Sequence, residues 1–327
     1  MSLPPPVTTP ALIGLDWGST QVRAFLFGQH GALLDSMQAP LGVSHHPGAA
    51  GVATVQAWLA AWLQAHPTVP MLACGMAGSQ QGWQTVPYLP TPLPLAALGQ
   101  HLTRLDAPLN AWRRDVYLVP GVSHHGAGDG FRDVMRGEET QLAGLATAYP
   151  ELEAPELILT PGTHNKWLRL QGGQLLALAT CMTGELYALL REHSLLAPLL
   201  ADGDFDADSF LAGVAAARER GDWLHQLFGV RARGVQQQLP PAALNDWLSG
   251  LLIGYEIHGA LAAGGSVARC GLIGSPALTR RYATALQHLG IASVSLDGER
   301  AASAGLWCIA SQAGLCRQPA ANLGLET

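Results

Sequence analysis

Residues 15–20 read "LDWGST" and end a short apolar run, "ALIGLD", which predicts a buried strand. Asp16 stands at the end of that strand, Gly18 permits a sharp turn, and Ser19 and Thr20 add hydroxyl groups. A turn that offers N–H and O–H donors beside one carboxylate suits a phosphate with its Mg²⁺. The same short pattern also occurs in proteins where the aspartate only forms the turn. Its context therefore decides what the motif means.

The context is a repeat. After the motif, "QVRAFLF" and "ALLDSMQAPLGV" predict two more extended segments, so that the chain opens with an antiparallel meander. The order restarts with "ELILTPGT", "HNKWLRL" and "LLALATCMTG". A shift of 144 residues places Gly18 on Gly162 and Ser19 on Thr163, while Thr160 takes the place of Asp16. A period this long indicates a duplicated domain with a donor turn in each half.

Length and composition agree with two lobes. The chain has 327 residues, of which 48% are hydrophobic and 13% are charged, as expected of a compact α/β protein. We expect a disordered leader at 1–10, an N-terminal lobe at 11–150, and a C-terminal lobe at 151–327 with a helical insertion around 200–240.

Charge and cysteine usage exclude some partners. The net charge of -6 argues against nucleic acid as the main partner, and no apolar window is long enough to span a membrane. The N-terminal stretch lacks the features of a secretory signal. Five scattered cysteines without a C-x-x-C pair indicate reduced thiols and a cytoplasmic protein. A homodimer is compatible with the sequence, but no oligomeric state follows from it.

Five motifs in a fixed order carry a resemblance. "DWGST", "CGMAGSQQGW", "DVMRGEETQL", "PGTHNKW" and "TCMTGELYALL" resemble the 2-dehydro-3-deoxygalactonokinases, within the sugar kinase/actin/Hsp70 ATPase superfamily. The resemblance covers roughly residues 11–312. It implies a two-lobed actin-like (ribonuclease H-like) α/β fold, with a mixed sheet flanked by helices in each lobe and a cleft between the lobes. It also implies ATP-dependent phosphorylation of the 6-hydroxyl of 2-dehydro-3-deoxy-D-galactonate, in galactonate catabolism.

The resemblance implies the nucleotide-binding residues. Asp16 would orient Mg²⁺, and phosphate would be contacted by the residues of the two turns, namely Gly18, Ser19, Thr20, Gly162 and Thr163. "CGLIGSPAL" resembles the adenosine motif, in which Gly271, Gly274 and Ser275 would approach adenine and ribose.

The catalytic base is expected at the start of the helix in "RGEETQL". The resemblance places Glu138 or Glu139 where related kinases have an aspartate. Successive helical residues point in different directions, so only one of the two can face the cleft. We favour Glu138, and Asp133 is a further candidate.

The substrate loop is expected in "GSQQGW". Ser79, Gln80 and Gln81 would contact the hydroxyl groups of the sugar acid, and Trp83 would form an apolar wall. The carboxylate of the substrate requires a cation, for which Arg23 is the first candidate and Arg136 the second.

Lys166 is the single lysine of the chain, and the other 17 of its 18 basic side chains are arginines. Its context does not match a P-loop. The lysine either survives by accident or supplies a compact ammonium group near the substrate. Two other functions stay open from the sequence, namely a kinase for another sugar, polyol or sugar acid, and a non-catalytic sugar-binding regulator on the same fold.

Overall fold

A computed structural model describes residues 9–106, 112–126, 132–151, 155–219, 222–264 and 268–316. Most of the expected leader at 1–10 lies outside these residues.

The strands are β1 Pro10–Trp17, β2 Val22–Gly28, β3 Leu33–Ala39, β4 Met71–Gly75, β5 Tyr88–Pro90, β6 Leu93–Pro94, β7 Thr103–Arg104, β8 Val116–Leu118, β9 Gly121–His125, β10 Arg132–Met135, β11 Leu157–Thr160, β12 Asn165–Gln171, β13 Gln174–Cys181, β14 Arg269–Ile273 and β15 Ala292–Leu296. The helices are α1 Gly48–Trp58, α2 Ala60–Ala65, α3 Glu138–Ala148, α4 Thr183–His193, α5 Ala207–Glu219, α6 Trp223–Val235, α7 Pro241–Gly264, α8 Pro276–His288 and α9 Gly298–Gln312. In the described part of the chain, no helix combines the length and apolar character needed to cross a membrane.

The chain divides into two compact units. The first lies within Met1–Ala154, Gly172–Leu176 and Gly298–Thr327, and the second within Pro155–Gln171 and Ala177–Asp297. The final helix was expected in the C-terminal lobe, but α9 belongs to the first unit because it packs along α3 and against β1. Small residues permit this close approach, since a Cβ on Gly305 would lie 1.8 Å from the carbonyl oxygen of Thr140.

The first unit contains a six-stranded sheet in the order β3-β2-β1-β4-β8-β7. The first three strands form the expected antiparallel meander, while β4 and β8 extend the sheet in parallel with β1. A three-stranded sheet, β10-β9-β5, accompanies it. Apolar side chains of β1, β4 and α1 form the core, among them Ile13, Leu15 and Val55.

The second unit repeats this arrangement. Its strands follow the order β15-β14-β11-β12-β13, with β12 antiparallel to β11 and with β14 and β15 parallel to it. The order corresponds strand by strand to β8-β4-β1-β2-β3 of the first unit. The predicted internal duplication is therefore confirmed. The expected helical insertion corresponds to α5 and α6.

Candidate active site

The first donor turn follows β1 and is closed by the main chain. The Gly18 N–H donates to the Gln21 carbonyl oxygen at 2.8 Å, and the N–H groups of residues 42–44 donate to carbonyls of the turn. Ser19 and Thr20 are exposed, and their own N–H groups donate to no other residue that the structure describes. The turn thus presents two adjacent free donors.

Asp16 lies beside this turn, at the carboxyl end of β1. Its Oδ2 accepts a hydrogen bond from Arg23 Nη2 at 2.6 Å, and the Cys74 Sγ lies 3.7 Å from its Oδ1. Burial raises the pKa of the Cys74 thiol, and the charges of Asp16 and Glu139 raise it further. Arg23 was the first candidate for binding the substrate carboxylate. Its guanidinium is paired with Asp16, and its role toward the substrate stays a prediction.

The start of α3 reaches the same place. Gly137 has a φ of 113°, which disfavours residues with a side chain, and a Cβ there would lie 3.4 Å from the Gly75 Cα. Glu139 is fully buried, and its carboxylate accepts from the Gly137 N–H at 2.7 Å and from the Thr140 hydroxyl at 3.2 Å. Burial, and next the charge of Glu138, raise the pKa of Glu139 to about 8. Glu139 therefore closes the helix start as a protonated acid at neutral pH.

Glu138 differs from its neighbour because it remains partly exposed. Asp133, the other candidate base, is 8% exposed and accepts the N–H of Val134 at 2.7 Å. Of the three acids, Glu138 therefore keeps the best access to a bound molecule.

The predicted substrate loop lies between β4 and β5. Ser79 fixes the loop through its hydroxyl, which donates to the Met76 carbonyl at 2.8 Å and accepts the Gln81 N–H at 3.2 Å. Gln80 and Gln81 are exposed. Their amide groups are thus available to a ligand, whereas the Ser79 hydroxyl has a structural role.

Trp83 does not form a wall for the substrate. It is 9% exposed, and its ring packs edge-on against Trp17 at 5.8 Å and Trp112 at 4.7 Å. Its place in the apolar core corrects the sequence-based prediction.

Arg136 lies against the substrate loop. Its Nη2 donates to the Val86 carbonyl at 2.9 Å and its guanidinium stacks on Tyr88, while a Cβ on Gly78 would lie 2.6 Å from Nη1. Within the described residues, its Nε and Nη1 have no hydrogen-bond partner. Arg136 thus brings uncommitted N–H donors next to Gly78.

The second donor turn follows β11 and is closed by a side chain. The Gly162 N–H donates to Asn165 Oδ1 at 2.7 Å, and the Glu185 N–H at the start of α4 donates to the Thr163 carbonyl at 3.0 Å. Thr163 and His164 are exposed, and their N–H groups have no acceptor among the residues described. The second turn presents the same pair of donors as the first.

A buried polar network holds Asn165. The Glu256 carboxylate on α7 accepts from Asn165 Nδ2 at 2.7 Å, from Trp167 Nε1 at 2.8 Å and from the Tyr282 hydroxyl at 2.5 Å. Burial raises the pKa of Glu256, and hydrogen bonds from Thr183, Tyr282, Trp167 and Asn165 oppose this rise. Sequence reasoning did not identify this network. The available signal was one acid in the mostly apolar run "GLLIGYEIHG".

Lys166 lies on β12 directly opposite Thr160 of β11, so both side chains project from the same face of the sheet. Both residues are buried, and the Lys166 ammonium donates to Thr180 Oγ1 at 2.7 Å. The Thr160 hydroxyl has no hydrogen-bond partner within the described residues. The lone lysine therefore belongs to a buried polar row at the carboxyl end of β11.

The predicted adenosine motif also lies next to the second turn. A Cβ on Gly274 would lie 3.1 Å from the Pro161 carbonyl oxygen, and Ser275 is the N-cap residue of α8. Gly271 is different, because it lies inside β14 and a Cβ there would lie 2.5 Å from the Ile158 side chain. Close packing accounts for Gly271, whereas Gly274 and Ser275 lie at the carboxyl end of the strand.

A cavity of about 100 Å³ lies beside the second turn. Residues of α4, α7 and α8 line it together with Gly162 and Asn165, and they include Thr183, Tyr187, Ser249, Leu278 and Arg281. Its lining is mixed polar and apolar, and its volume is below that of a typical small-molecule site.

Comparisons with known proteins identify the family of the chain. The model of the 2-keto-3-deoxy-galactonokinase family matches residues 16–309. A protein from Escherichia coli (strain K12) named 2-dehydro-3-deoxygalactonokinase is 35% identical over 305 residues, which cover 92% of this chain and 98% of that protein. A crystal structure of a protein from Sinorhizobium meliloti, which carries the same enzyme name, has a TM-score of 0.81 and 35% identity, covering 91% of this chain and 98% of that chain.

More distant structures share the fold. The activator of 2-hydroxyisocaproyl-CoA dehydratase from Clostridium difficile, with bound ADPNP, has a TM-score of 0.50 at 12% identity and covers 93% of this chain and 96% of that chain. The predicted actin-like ATPase fold is thus confirmed. The chain belongs to the 2-keto-3-deoxy-galactonokinase family and is a carbohydrate kinase.

Proposed function

We propose that the chain transfers the γ-phosphoryl group of ATP to the 6-hydroxyl of 2-dehydro-3-deoxy-D-galactonate, an early step in galactonate catabolism. The observation that carries this proposal is the pair of matching donor turns at the ends of β1 and β11, each with two N–H groups that have no acceptor within the described residues. Backbone N–H groups in such turns suit the oxygens of a polyphosphate. The family and its relatives supply the substrate class.

The nucleotide would be held by both turns and by the cavity. The N–H groups of Ser19, Thr20, Thr163 and His164 would donate to phosphate oxygens. The Gly18 and Gly162 N–H groups close their turns instead and so contribute shape. Gly274 and Ser275 lie next to the second turn, and we assign adenosine to them, with the adjoining cavity of about 100 Å³ taking only part of it.

Mg²⁺ would be held at Asp16. The carboxylate fits a hard cation, and it stands beside N–H groups that suit phosphate. No cluster of three or more His, Cys, Asp or Glu side chains suited to a metal occurs in the described ranges, so phosphate and water oxygens would complete the coordination. When bound, the ion neutralises charge on the phosphates.

Glu138 would accept the proton of the attacking hydroxyl. It is partly exposed, while Glu139 is buried and protonated at neutral pH. Phosphoryl transfer depends mainly on positioning and on charge stabilisation, and the base orients the hydroxyl for in-line attack.

The sugar acid would contact the loop at 78–83. Gln80 and Gln81 offer exposed amide groups for its hydroxyls, and Arg136 is a better partner for its carboxylate than Arg23. Lys166 supplies a compact cation close to the second turn.

All five cysteines are free thiols, which supports a reducing compartment such as the cytoplasm.

The test is an ADP-release assay with Mg²⁺ and a panel of acceptors. We expect turnover with 2-dehydro-3-deoxy-D-galactonate and little with its gluconate-type epimer or with neutral sugars and polyols. Turnover with a neutral sugar alone would reassign the substrate. No turnover with any acceptor, together with tight sugar-acid binding, would favour a non-catalytic regulator.

A further inference from the structure

The second donor turn differs from the first because its geometry depends on side chains from distant parts of the sequence. Asn165 closes the turn by accepting the Gly162 N–H, and Glu256, 91 residues further along, holds the other end of the same amide group. Asn165 is 1% exposed and Glu256 is 7% exposed. Water therefore cannot replace these hydrogen bonds at little cost.

The chemistry of the partners fixes the orientation of the Asn165 amide. The Trp167 indole N–H can only donate a hydrogen bond, and its acceptor is Oε1 of Glu256. The remaining oxygen, Oε2, needs donors, and the Asn165 NH₂ group supplies one of them at 2.7 Å. Since NH₂ faces the acid, the amide oxygen must face Gly162. Glu256 thus determines that the turn is closed by an acceptor.

We propose that Glu256 is a positioning residue for nucleotide binding, which acts through Asn165 to hold the second turn in its phosphate-binding shape. The inference rests on the proposed function, because it assumes that the Thr163 and His164 N–H groups receive phosphate. Neither Glu256 nor Asn165 needs to contact the nucleotide through its acid or amide group for this role.

The isosteric variant Glu256→Gln tests the proposal. The Trp167 N–H still requires an acceptor, so the new amide turns its NH₂ group toward Asn165. Two NH₂ groups would then meet, or Asn165 would flip and present its own NH₂ to the Gly162 N–H. The flip breaks the bond to the Gly162 N–H, and two facing donors leave Asn165 without its bond to the side chain at position 256. We expect the Kd for ADP and the KM for ATP to rise about tenfold or more, as for an unsatisfied buried polar group.

An exchanged pair gives a sharper test. Asn165→Asp alone brings two carboxylates together and should also weaken ADP binding at pH 8. In the double variant N165D/E256Q, the amide at position 256 donates to the acid at position 165, which accepts the Gly162 N–H. We therefore expect the double variant to bind ADP within about threefold of the wild type, since every buried donor again has an acceptor.

The readouts separate positioning from a merely structural role. The KM for the sugar acid should stay near its wild-type value in every variant, while the KM for ATP rises in Glu256→Gln and Asn165→Asp. Glu192→Gln, the same substitution at an exposed position of α4, serves as the control and should leave both constants unchanged. Thermal unfolding identifies any variant that has lost its fold.

Three results would overturn the proposal. They are wild-type ADP affinity in folded Glu256→Gln, a double variant weaker than either single variant, and equal changes in both KM values. If the single variants do not fold, amide hydrogen exchange of the ligand-free wild type still decides. The Gly162 N–H must exchange more slowly than that of Thr163, and equal rates contradict the proposal. Failure of the wild type to bind ADP would instead contradict the proposed function.

Discussion

The two donor turns occupy matching positions in the two units, yet they are closed differently. In the first turn the Gly18 N–H donates to the main-chain oxygen of Gln21, and in the second the Gly162 N–H donates to the side-chain oxygen of Asn165. Gln21 and Asn165 are also 144 residues apart, the spacing of the repeat. The same turn shape has thus been built once from main chain and once from a buried amide.

The two turns also differ in the acid that lies near each of them, Asp16 or Glu256. The first turn keeps Asp16 beside it, where the second has Thr160. The second turn instead draws on Glu256, which touches Asn165 and not the exposed donors. We therefore propose that Asp16 takes part in the chemistry, whereas Glu256 supports the second turn. The predictions below test this division, from the largest expected effect to the smallest.

The corresponding residues Asp16 and Thr160 should differ most. Asp16→Asn removes the charge that would hold Mg²⁺, and we expect kcat to fall by about 10³-fold. Thr160→Val should change kcat by less than about threefold, because the buried hydroxyl has no partner in the described part of the chain. Steady-state assays at saturating ATP measure both. An active Asp16→Asn would contradict the assignment of Mg²⁺ to this turn.

The buried acid of the first unit should make stability depend on pH. The pKa of Glu139 is raised from 4.5 to about 8, so within this window the folded state keeps a proton that the unfolded chain has released. Stability contributed by this site therefore falls as the pH rises through the window. Relative to Glu139→Gln, the wild type should lose about 2–3 kcal/mol of unfolding free energy between pH 5 and pH 7.

Urea unfolding of both proteins at pH 5, 6 and 7 measures this difference. Parallel stability profiles would mean that Glu139 is ionised in the folded protein. In that case the assignment of Glu138 as the base would lose its main support.

Removing the side chain that follows each turn should raise the KM for ATP only at the second turn. Asn165→Ala leaves the Gly162 N–H without its acceptor, and we expect the KM for ATP to rise about tenfold. Gln21→Ala keeps the main-chain carbonyl and should leave the KM for ATP within about twofold, since its exposed side chain makes no part of the turn. Equal effects of the two substitutions would remove the distinction between the turns.

The lone lysine should show a smaller effect. Lys166 is buried, and its ammonium group donates a hydrogen bond to Thr180. The residue of the first unit that corresponds to Lys166 is the apolar Val22. Lys166→Arg replaces a compact ammonium with a planar group, and we expect kcat/KM to fall about fivefold with little change in stability. Unchanged kinetics would make the single lysine an accident of composition.

The repeat could be read from the sequence because it rests on local patterns. The strand, turn and meander order predicted the correspondence of Gly18 with Gly162, and the strand order of both sheets confirmed it. The pairing of Arg23 with Asp16 is also predictable from the sequence, since the two residues face each other across a predicted hairpin.

Other features depend on tertiary packing that no local pattern reports. Trp83 follows a polar loop, but its ring packs in the core against Trp17 and Trp112, which are distant in sequence. The contact between Asn165 and Glu256 joins segments 91 residues apart. The last helix packs on α3 of the first unit, whereas its position in the sequence suggested the C-terminal lobe.

Amide hydrogen exchange at the two turns, with and without a non-hydrolysable ATP analogue and Mg²⁺, tests the central claim most directly. We predict that exchange slows at Ser19 and Thr20 and equally at Thr163 and His164, while the N–H groups of α6 stay unchanged as an internal reference. Protection at one turn only, or at neither, would contradict the proposal that both turns bind the phosphates of ATP.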